Sequence, residues 1–160
     1  NTIGEIGRGF QQQMSQFQDE RMIASYQMVG AMEYALERTA DYLKQRMAFG
    51  KPLLANQHLA YELADLASEV DLLKYYNYNA AVAQTNGEDI TRFATVAKLR
   101  SARLARKVAD ICLQFHGGIG YMEETWTARF FRDTRLWSIG GGADEVMLRT
   151  LARVDGYWVD

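Results

Sequence analysis

The sequence predicts an all-α fold, an antiparallel four-helix bundle with long helices. The chain of 160 residues contains one proline, Pro52, and proline is the residue that interrupts helices most strongly. Its glycines are clustered, so long stretches of the chain lack any helix breaker. Apolar residues recur with helical spacing, whereas the alternating pattern that is typical of strands is nearly absent.

The first two helices are predicted from their length and their apolar spacing. The first runs from about Phe10 to Arg46, and Phe17–Asp19 is the one segment where it would break. The second runs from about Asn56 to Thr85. Its apolar seam follows a 4-3-4-3 spacing and consists of Leu59, Leu63, Leu66, Val70 and Leu73.

Three more helices complete the expected bundle. Asn86-Gly87 forms a turn, after which Asp89 caps a third helix that ends near Phe115. A short helix covers about Thr125–Asp133, and the last covers about Ala143–Val154. Helices of roughly 30 residues are about 45 Å long, and short connections between them favour antiparallel packing. We expect residues 1–160 to form a single domain.

The composition excludes several classes of function. The net charge is −2 and no long block of basic residues occurs, so nucleic acid is not an expected partner. No apolar run approaches the ~18 residues of a membrane span. The single cysteine, Cys112, excludes an intrachain disulfide and is expected to be a buried thiol. With His58 and His116 as the only histidines, no metal site is expected.

The segment Arg46–Pro52, followed by Gln57, forms a corner between two predicted helices. Arg46 can offer a planar set of donors to a phosphate at that corner. An arginine near a helix C-terminus is also favoured by the helix dipole alone. Both interpretations stay open when this segment is considered by itself.

Two glycine-rich segments could lie close to a ligand. In Gln114–Tyr121, glycines at a helix end can expose backbone N–H groups, although a helix that ends in glycine is ordinary. In Ile139–Glu145, three glycines lead into a helix with an acidic first turn, which suits either a ligand or a tight loop. A fourth segment, Gln18–Arg21, is polar, and the usual role of such residues is a solvated surface.

Taken together, these four segments resemble the C-terminal helical domain of the acyl-CoA dehydrogenases. The resemblance extends from about Gly4 to Leu151. The pattern R-x-x-F-G followed by Q matches Arg46, Phe49, Gly50 and Gln57. The pattern Q-x-x-G-G-x-G-[YF] matches Gln114, Gly117, Gly118, Gly120 and Tyr121. The pattern R-D followed by I-x-x-G matches Arg132, Asp133, Ile139 and Gly142.

The resemblance implies a three-domain protein, of which this chain would be the last part, and flavin adenine dinucleotide (FAD) as cofactor. The residues it places at the flavin of a neighbouring subunit are Arg46, Phe49, Asn56, Gln57, Gln114, Phe115, His116, Gly117 and Gly118. The residues it places at the flavin of the same subunit are Ala143, Asp144 and Glu145. Ala143 stands where the family usually has Thr or Ser, so one hydroxyl hydrogen bond would be missing. His116 is as easily a structural polar group.

In the reaction that the resemblance implies, a carboxylate removes the α-proton of an acyl-CoA thioester and the flavin accepts the β-hydride. Many family members place this glutamate one residue before the glycine of the I-x-x-G loop. This sequence has Gly141 there, and glycine cannot be the base. The protein is therefore either a noncatalytic relative or one that takes its carboxylate from elsewhere.

A subset of the family, which includes isovaleryl-CoA and long-chain dehydrogenases, places the glutamate on an earlier helix, just before an arginine. Glu20 and Arg21 match that arrangement, and we expect Glu20 to be the catalytic base. The Gly141 N–H would donate to the thioester carbonyl. The residues expected to contact the substrate are Gln18, Asp19, Arg21, Gly141 and Gly142.

The resemblance also implies an acyl-CoA substrate, a homodimer or homotetramer, and electron-transfer flavoprotein as partner. An acyl-CoA oxidase of the same fold and a noncatalytic helical assembly protein remain alternatives. The expected location is the cytoplasm of a bacterium, or the mitochondrial matrix of a eukaryote. The 160-residue chain alone is expected to be inactive, because the other walls of the site would be absent.

Overall fold

The computed structural model describes residues 2–159, which form six α-helices and one small hairpin. The helices are α1 (Gly9–Gln45), α2 (Gln57–Thr85), α3 (Thr91–His116), α4 (Gly118–Tyr121), α5 (Trp126–Leu136) and α6 (Asp144–Val154). The hairpin strands are β1 (Met47–Ala48) and β2 (Lys51–Pro52), and a 3₁₀ turn (Leu53–Ala55) leads into α2. The predicted all-α class is confirmed.

The long helices begin and end close to their predicted limits. α1 is continuous, so the break considered at Phe17–Asp19 does not occur. α2 begins where the side-chain oxygen of Asn56 accepts a 3.0 Å hydrogen bond from the amide of His58. Asp89 accepts bonds from the amide and hydroxyl of Thr91 at 2.9 and 2.6 Å, and these support the first turn of α3.

The hairpin at the corner between α1 and α2 is not predicted from the sequence. Its two-residue turn has positive φ at both central positions, +51° at Phe49 and +77° at Gly50. A phenylalanine rarely adopts this conformation, so the residue type gives no signal of such a turn. The turn leaves the Phe49 side chain fully exposed.

The three long helices pack with alternating direction, as predicted. Along α1 and α2, Ser25 pairs with Asn77 and, further along, Glu33 pairs with Lys74, so the two helices run antiparallel. Along α2 and α3, the ring of Tyr76 lies against Phe93, while Glu69 accepts a bond from Lys107. This order is again antiparallel. The shorter helices α5 and α6 both pack on α3.

α3 lies at the centre of the bundle because its inner face carries small side chains. The other two long helices, α1 and α2, and the shorter helices α4, α5 and α6 all contact α3. Small side chains let neighbouring backbones approach closely, and close packing is what stabilises such a core. The buried small residues of α3 are Ala94, Ala97, Ser101, Ala102, Ala105 and Ala109. Cys112 on the same helix is buried, as predicted, and burial raises its pKa to about 11.

His116 joins the end of α3 to two other helices. Its ring stacks on Tyr42 of α1 with centroids 4.2 Å apart, and the ring of Trp126 of α5 lies perpendicular to it with centroids 5.4 Å apart. Its Nδ1 lies 2.7 Å from the carbonyl oxygen of Cys112, to which an imidazole N–H donates. Burial lowers the pKa of His116 below its usual value, so the folded protein favours the neutral ring.

The buried His116 predicts a loss of stability in mild acid. The unfolded chain takes up a proton near pH 6.5, whereas the folded chain does so only at a lower pH. The unfolded state therefore binds more protons in that window, and the free energy of unfolding should fall as the pH falls through about 6.5.

Urea unfolding of the wild type at a series of pH values measures this effect. We expect His116→Phe to lose most of the pH dependence between about pH 7 and pH 5.5. The same substitution at the exposed His58 is the matched control and should keep the wild-type dependence. An unchanged slope in His116→Phe would assign the dependence to other groups.

Candidate active site

A pocket of about 230 Å³ lies between α1, α3 and the loop that joins α5 to α6. It brings together Glu20 and Gly141, two positions that are 121 residues apart in the chain and that sequence analysis paired. α1 also contributes Phe17, Arg21 and Ala24. The remaining lining residues are Lys98, Leu136, Trp137 and Gly140. The two positions that the resemblance gives as alternative places for a glutamate thus line one cavity.

Glu20 reaches this pocket because of the helical period. Phe17 and Ala24 lie three residues before it and four residues after it, which places all three on one face of α1. Its Oε1 accepts a 3.2 Å hydrogen bond from Gln16, one turn earlier. The residue is exposed. Its carboxylate is therefore accessible to a ligand that enters the pocket.

Arg21 connects α1 to the glycine loop. Its Nε donates to the carbonyl of Gly141 at 3.2 Å, and another guanidinium nitrogen donates to Gln18 at 3.3 Å. The guanidinium carbon lies 5.9 Å from the ring centre of Phe17. Burial lowers the pKa of Arg21, and the charge of Glu20 acts in the opposite direction. Asp19 points elsewhere, since it accepts a 2.7 Å bond from Gln84 of α2.

The loop has glycine at two successive positions with positive φ, and packing leaves no free space for a side chain at the second. Gly141 and Gly142 have φ of +66° and +111°, a region that other residues rarely adopt. A Cβ on Gly142 would lie 2.6 Å from the terminal methyl carbon of Met147. The carbonyl of Gly142 accepts a hydrogen bond from the ammonium of Lys98, a residue of α3 that is 1% exposed.

Lys98 is a residue of this site that was not predicted, although its position in the sequence carries a signal. Lys98 follows Ala94 and precedes Ala102 by one helical turn each, so it lies on the small-residue face that contacts the other helices. A lysine on such a face is unusual, because lysine is rarely fully buried. A buried cation on this small-residue face indicates a specific hydrogen-bond partner, and here the partner is the carbonyl of Gly142 in the glycine loop.

The three residues at the start of α6, Ala143, Asp144 and Glu145, differ in their contacts. Ala143 is the N-cap and makes no side-chain hydrogen bond, consistent with the missing hydroxyl. Asp144 is 8% exposed and accepts a 3.2 Å hydrogen bond from Arg103. Glu145 is exposed in the first turn. Arg103 thus binds Oδ2 of Asp144, whereas Oδ1 is buried without a hydrogen-bond partner among residues 2–159. Glu145 is exposed and available to a ligand.

A second cleft, of about 640 Å³, lies at the other end of α1. Among residues 2–159, neither the guanidinium of Arg46 nor the side-chain amide of Gln114 has a hydrogen-bond partner. Gly117 adopts φ +64° at the end of α3. The sequence-predicted residues that line this cleft are Arg46, Gln114, Phe115, His116, Gly117 and Gly118.

Three residues predicted for the same group do not line this cleft. Phe49 extends into solvent, and Asn56 caps α2. The amide of Gln57 hydrogen-bonds to the hydroxyl of Tyr61. The ring of His116 is packed between helices, as described above, so its contribution to the cleft comes from the end of α3 rather than from a free imidazole.

Two further classes of site are not found in the described part of the chain. No group of three or more His, Cys, Asp and Glu side chains within residues 2–159 is placed to hold a metal ion. No helix of these residues is both long enough and apolar enough to cross a membrane.

Comparison with known proteins identifies the family. The model of the acyl-CoA dehydrogenase C-terminal domain matches residues 7–154. The probable acyl-CoA dehydrogenase YdiO of Escherichia coli (strain K12) is 38% identical over 153 residues, which are 96% of this chain and 40% of the relative. The caffeyl-CoA reductase-Etf complex subunit CarC of Acetobacterium woodii is 32% identical over 146 residues, or 91% of this chain and 38% of CarC.

A solved structure agrees in fold. Butyryl-CoA dehydrogenase from Megasphaera elsdenii superposes with a TM-score of 0.93 at 34% identity, covering 96% of this chain and 40% of that chain. The chain thus spans about two fifths of the length of the relatives it matches. Since the family model covers nearly the whole sequence, the chain belongs to the acyl-CoA dehydrogenase family and corresponds to its C-terminal helical domain.

Proposed function

We propose that this chain is the C-terminal part of an FAD-dependent enzyme that dehydrogenates acyl-CoA thioesters between the α and β carbons, with Glu20 as the base. The observation that carries the proposal is the shared pocket of Glu20 and Gly141. The names of the relatives support the reaction class. The missing walls of the pocket would come from domains that precede this chain in the full-length protein.

Glu20 is suited to act as the catalytic base because it lines the pocket. Among the described residues that line the pocket, Glu20 is the only one with a carboxylate. It would take the α-proton of the substrate onto a carboxylate oxygen, while the β-hydrogen departs with its electron pair. Bound FAD would supply the acceptor for that hydride. A base must lie within hydrogen-bond reach of the proton it removes, and Glu20 lines the same pocket as Gly141.

Gly141 is suited to hold the substrate carbonyl through its backbone. Among residues 2–159, the amides of Gly141 and Gly142 have no hydrogen-bond partner. As the α-proton leaves, negative charge develops on the thioester oxygen, and an N–H already in place stabilises it. Position 141 would thus keep its backbone role while Glu20 supplies the carboxylate.

The second cleft has a donor set that fits the pyrophosphate of FAD. Arg46 provides a planar cationic fork, Gln114 an amide, and the glycines at the end of α3 allow close approach. A Cβ built on Gly117 or Gly118 would meet no atom within 4 Å, so the space beside them is open. We assign this cleft to the flavin of a neighbouring subunit and Glu145 to the flavin of the same subunit.

Two partners follow from this proposal. The name of CarC refers to a complex with Etf, which supports electron-transfer flavoprotein as the electron acceptor. An exposed apolar stripe on α2 supports a homodimer or homotetramer. Its residues lie on one helical face and are Leu72, Tyr75, Tyr78 and Val82.

The base assignment predicts the behaviour of Glu20→Gln in the full-length enzyme. Glutamine is nearly isosteric but cannot accept the proton, so we expect turnover to fall by about 10²- to 10⁴-fold while flavin and substrate binding persist. Steady-state kinetics and flavin absorbance measure both properties. Glu37→Gln, an exposed position on the same helix, should behave as wild type. Near-normal turnover in Glu20→Gln would mean that another group is the base.

The shared pocket predicts that the carboxylate can be moved. Glu20→Gly combined with Gly141→Glu should recover part of the activity that Glu20→Gly loses. A Cβ at position 141 would meet only the Lys98 Cε at 4.0 Å, so packing permits the side chain. Recovery should be incomplete, because φ of +66° is unfavourable for glutamate and strain of this kind costs about 1–3 kcal/mol. If the double variant is no more active than Glu20→Gly, the two positions do not reach the same carbon atom.

The apolar stripe of α2 predicts self-association. Light scattering of the 160-residue chain at micromolar concentration should give a mass above the 18.2 kDa of one copy. Leu72→Lys with Tyr75→Lys should shift the mass toward one copy, because two charges would have to be buried at the contact. Val154→Lys, at an exposed apolar position of α6, is the control and should leave the mass unchanged. A wild-type chain that remains a single copy would argue against the assigned contact.

A further inference from the structure

Lys98 is the largest fully buried side chain of the described residues, and its contact is not with a carboxylate. Its ammonium donates to the backbone carbonyl of Gly142, and no ion pair among residues 2–159 includes it. Burial lowers the pKa of Lys98, and the charge of Asp144 opposes this effect. Arg21 adds a second positive charge nearby.

Stability alone does not account for a lysine at this place. An ammonium ion without a paired carboxylate loses more on leaving water than one neutral hydrogen bond returns. Replacement of a buried charge by an apolar side chain of similar volume is often neutral or stabilising. The position of the ammonium, against the loop that lines the pocket, therefore calls for a different explanation.

Lys98 and Arg21 together hold two consecutive carbonyls of the loop. Arg21 binds the carbonyl of Gly141, and Lys98 binds that of Gly142. Within residues 2–159 every peptide bond is trans, so each C=O points opposite to the N–H of the same peptide unit. The two bonds therefore turn the amides of Gly142 and Ala143 away from the cations. Without them, a loop with two glycines at positive φ would have many conformations open to it.

We propose that Lys98 is a positioning residue: by binding the Gly142 carbonyl next to the Arg21 bond to Gly141, it fixes the loop conformation in which the free amides of Gly141 and Gly142 face the carbonyl oxygen of an acyl thioester. The proposal rests on the function proposed above, since it needs a thioester in the pocket. Lys98 does not itself touch the substrate in this arrangement. It acts through the loop. Substitution of Lys98 should therefore weaken the binding of ligands that carry a carbonyl oxygen and leave the binding of ligands without one unchanged.

Two ligands of equal chain length separate this role from a merely structural one. The first is the 2-enoyl-CoA product of the substrate that the wild-type full-length enzyme dehydrogenates fastest. The second is the S-alkyl-CoA thioether of the same chain, which lacks the carbonyl oxygen. Titration of the flavin spectrum with each ligand gives the two dissociation constants. Steady-state kinetics gives kcat.

In Lys98→Met we expect the affinity for the enoyl-CoA to fall by about 10-fold or more and kcat to fall by about 10- to 100-fold. The affinity for the thioether should change by less than about twofold. Lys107→Met is the matched control, since it makes the same change at an exposed lysine of α3, and it should resemble the wild type. Lys98→Gln keeps an N–H donor of shorter reach and should lie between the wild type and Lys98→Met.

Equal weakening of both ligands, or of neither, would overturn the positioning role. So would loss of flavin or of folding in both Lys98 variants, because Lys98 would then be needed for the fold itself. If the wild type dehydrogenates no acyl-CoA, the proposed function is wrong and the role of Lys98 is rejected with it. That outcome is visible in the wild type alone, before any variant is measured.

Discussion

The geometry of the candidate active site depends on two cations that hold one glycine loop. Arg21 comes from α1 and Lys98 from α3, and they bind the successive carbonyls of Gly141 and Gly142. These bonds join three separate parts of the chain at one point. The position of the loop relative to Glu20 follows from them, because Arg21 is the next residue on the same helix. A carboxylate on α1 and the backbone of the loop thereby line one pocket.

The packing of α3 makes this arrangement possible, and it also forms the second cleft. Small residues on α3 allow α1 to lie close enough for Lys98 to reach the loop beside Arg21. At the far end of α3, His116 is held between Tyr42 and Trp126, which places the glycines after it next to Arg46. Glu20 and Arg46 are 26 residues apart on or next to α1, or about 39 Å along a helix. Two such distant sites suit our assignment of the second cleft to the flavin of a neighbouring subunit.

The sequence predicts the helices well because their signals are local. Missing helix breakers, the apolar seam of α2 and the cap at Asn56 each depend on a few adjacent residues. The turn at Phe49 could not be predicted, since nothing in the residue type indicates positive φ. The pairing of Glu20 with Gly141 came from the family resemblance rather than from spacing. The place of Lys98 on the small-residue face of α3 is visible in the sequence, but its partner is a backbone carbonyl, which no residue type reveals.

The claim that most needs a direct measurement is that Glu20 and the glycine loop hold one substrate between them. A crystal structure of the full-length, flavin-loaded protein with a bound 2-enoyl-CoA measures this directly. We expect a carboxylate oxygen of Glu20 within about 3–3.5 Å of the carbon next to the thioester carbonyl. We also expect the Gly141 amide to donate to the thioester oxygen. A ligand whose nearest carboxylate belongs to another residue, or whose thioester lies outside this pocket, would contradict the assignment.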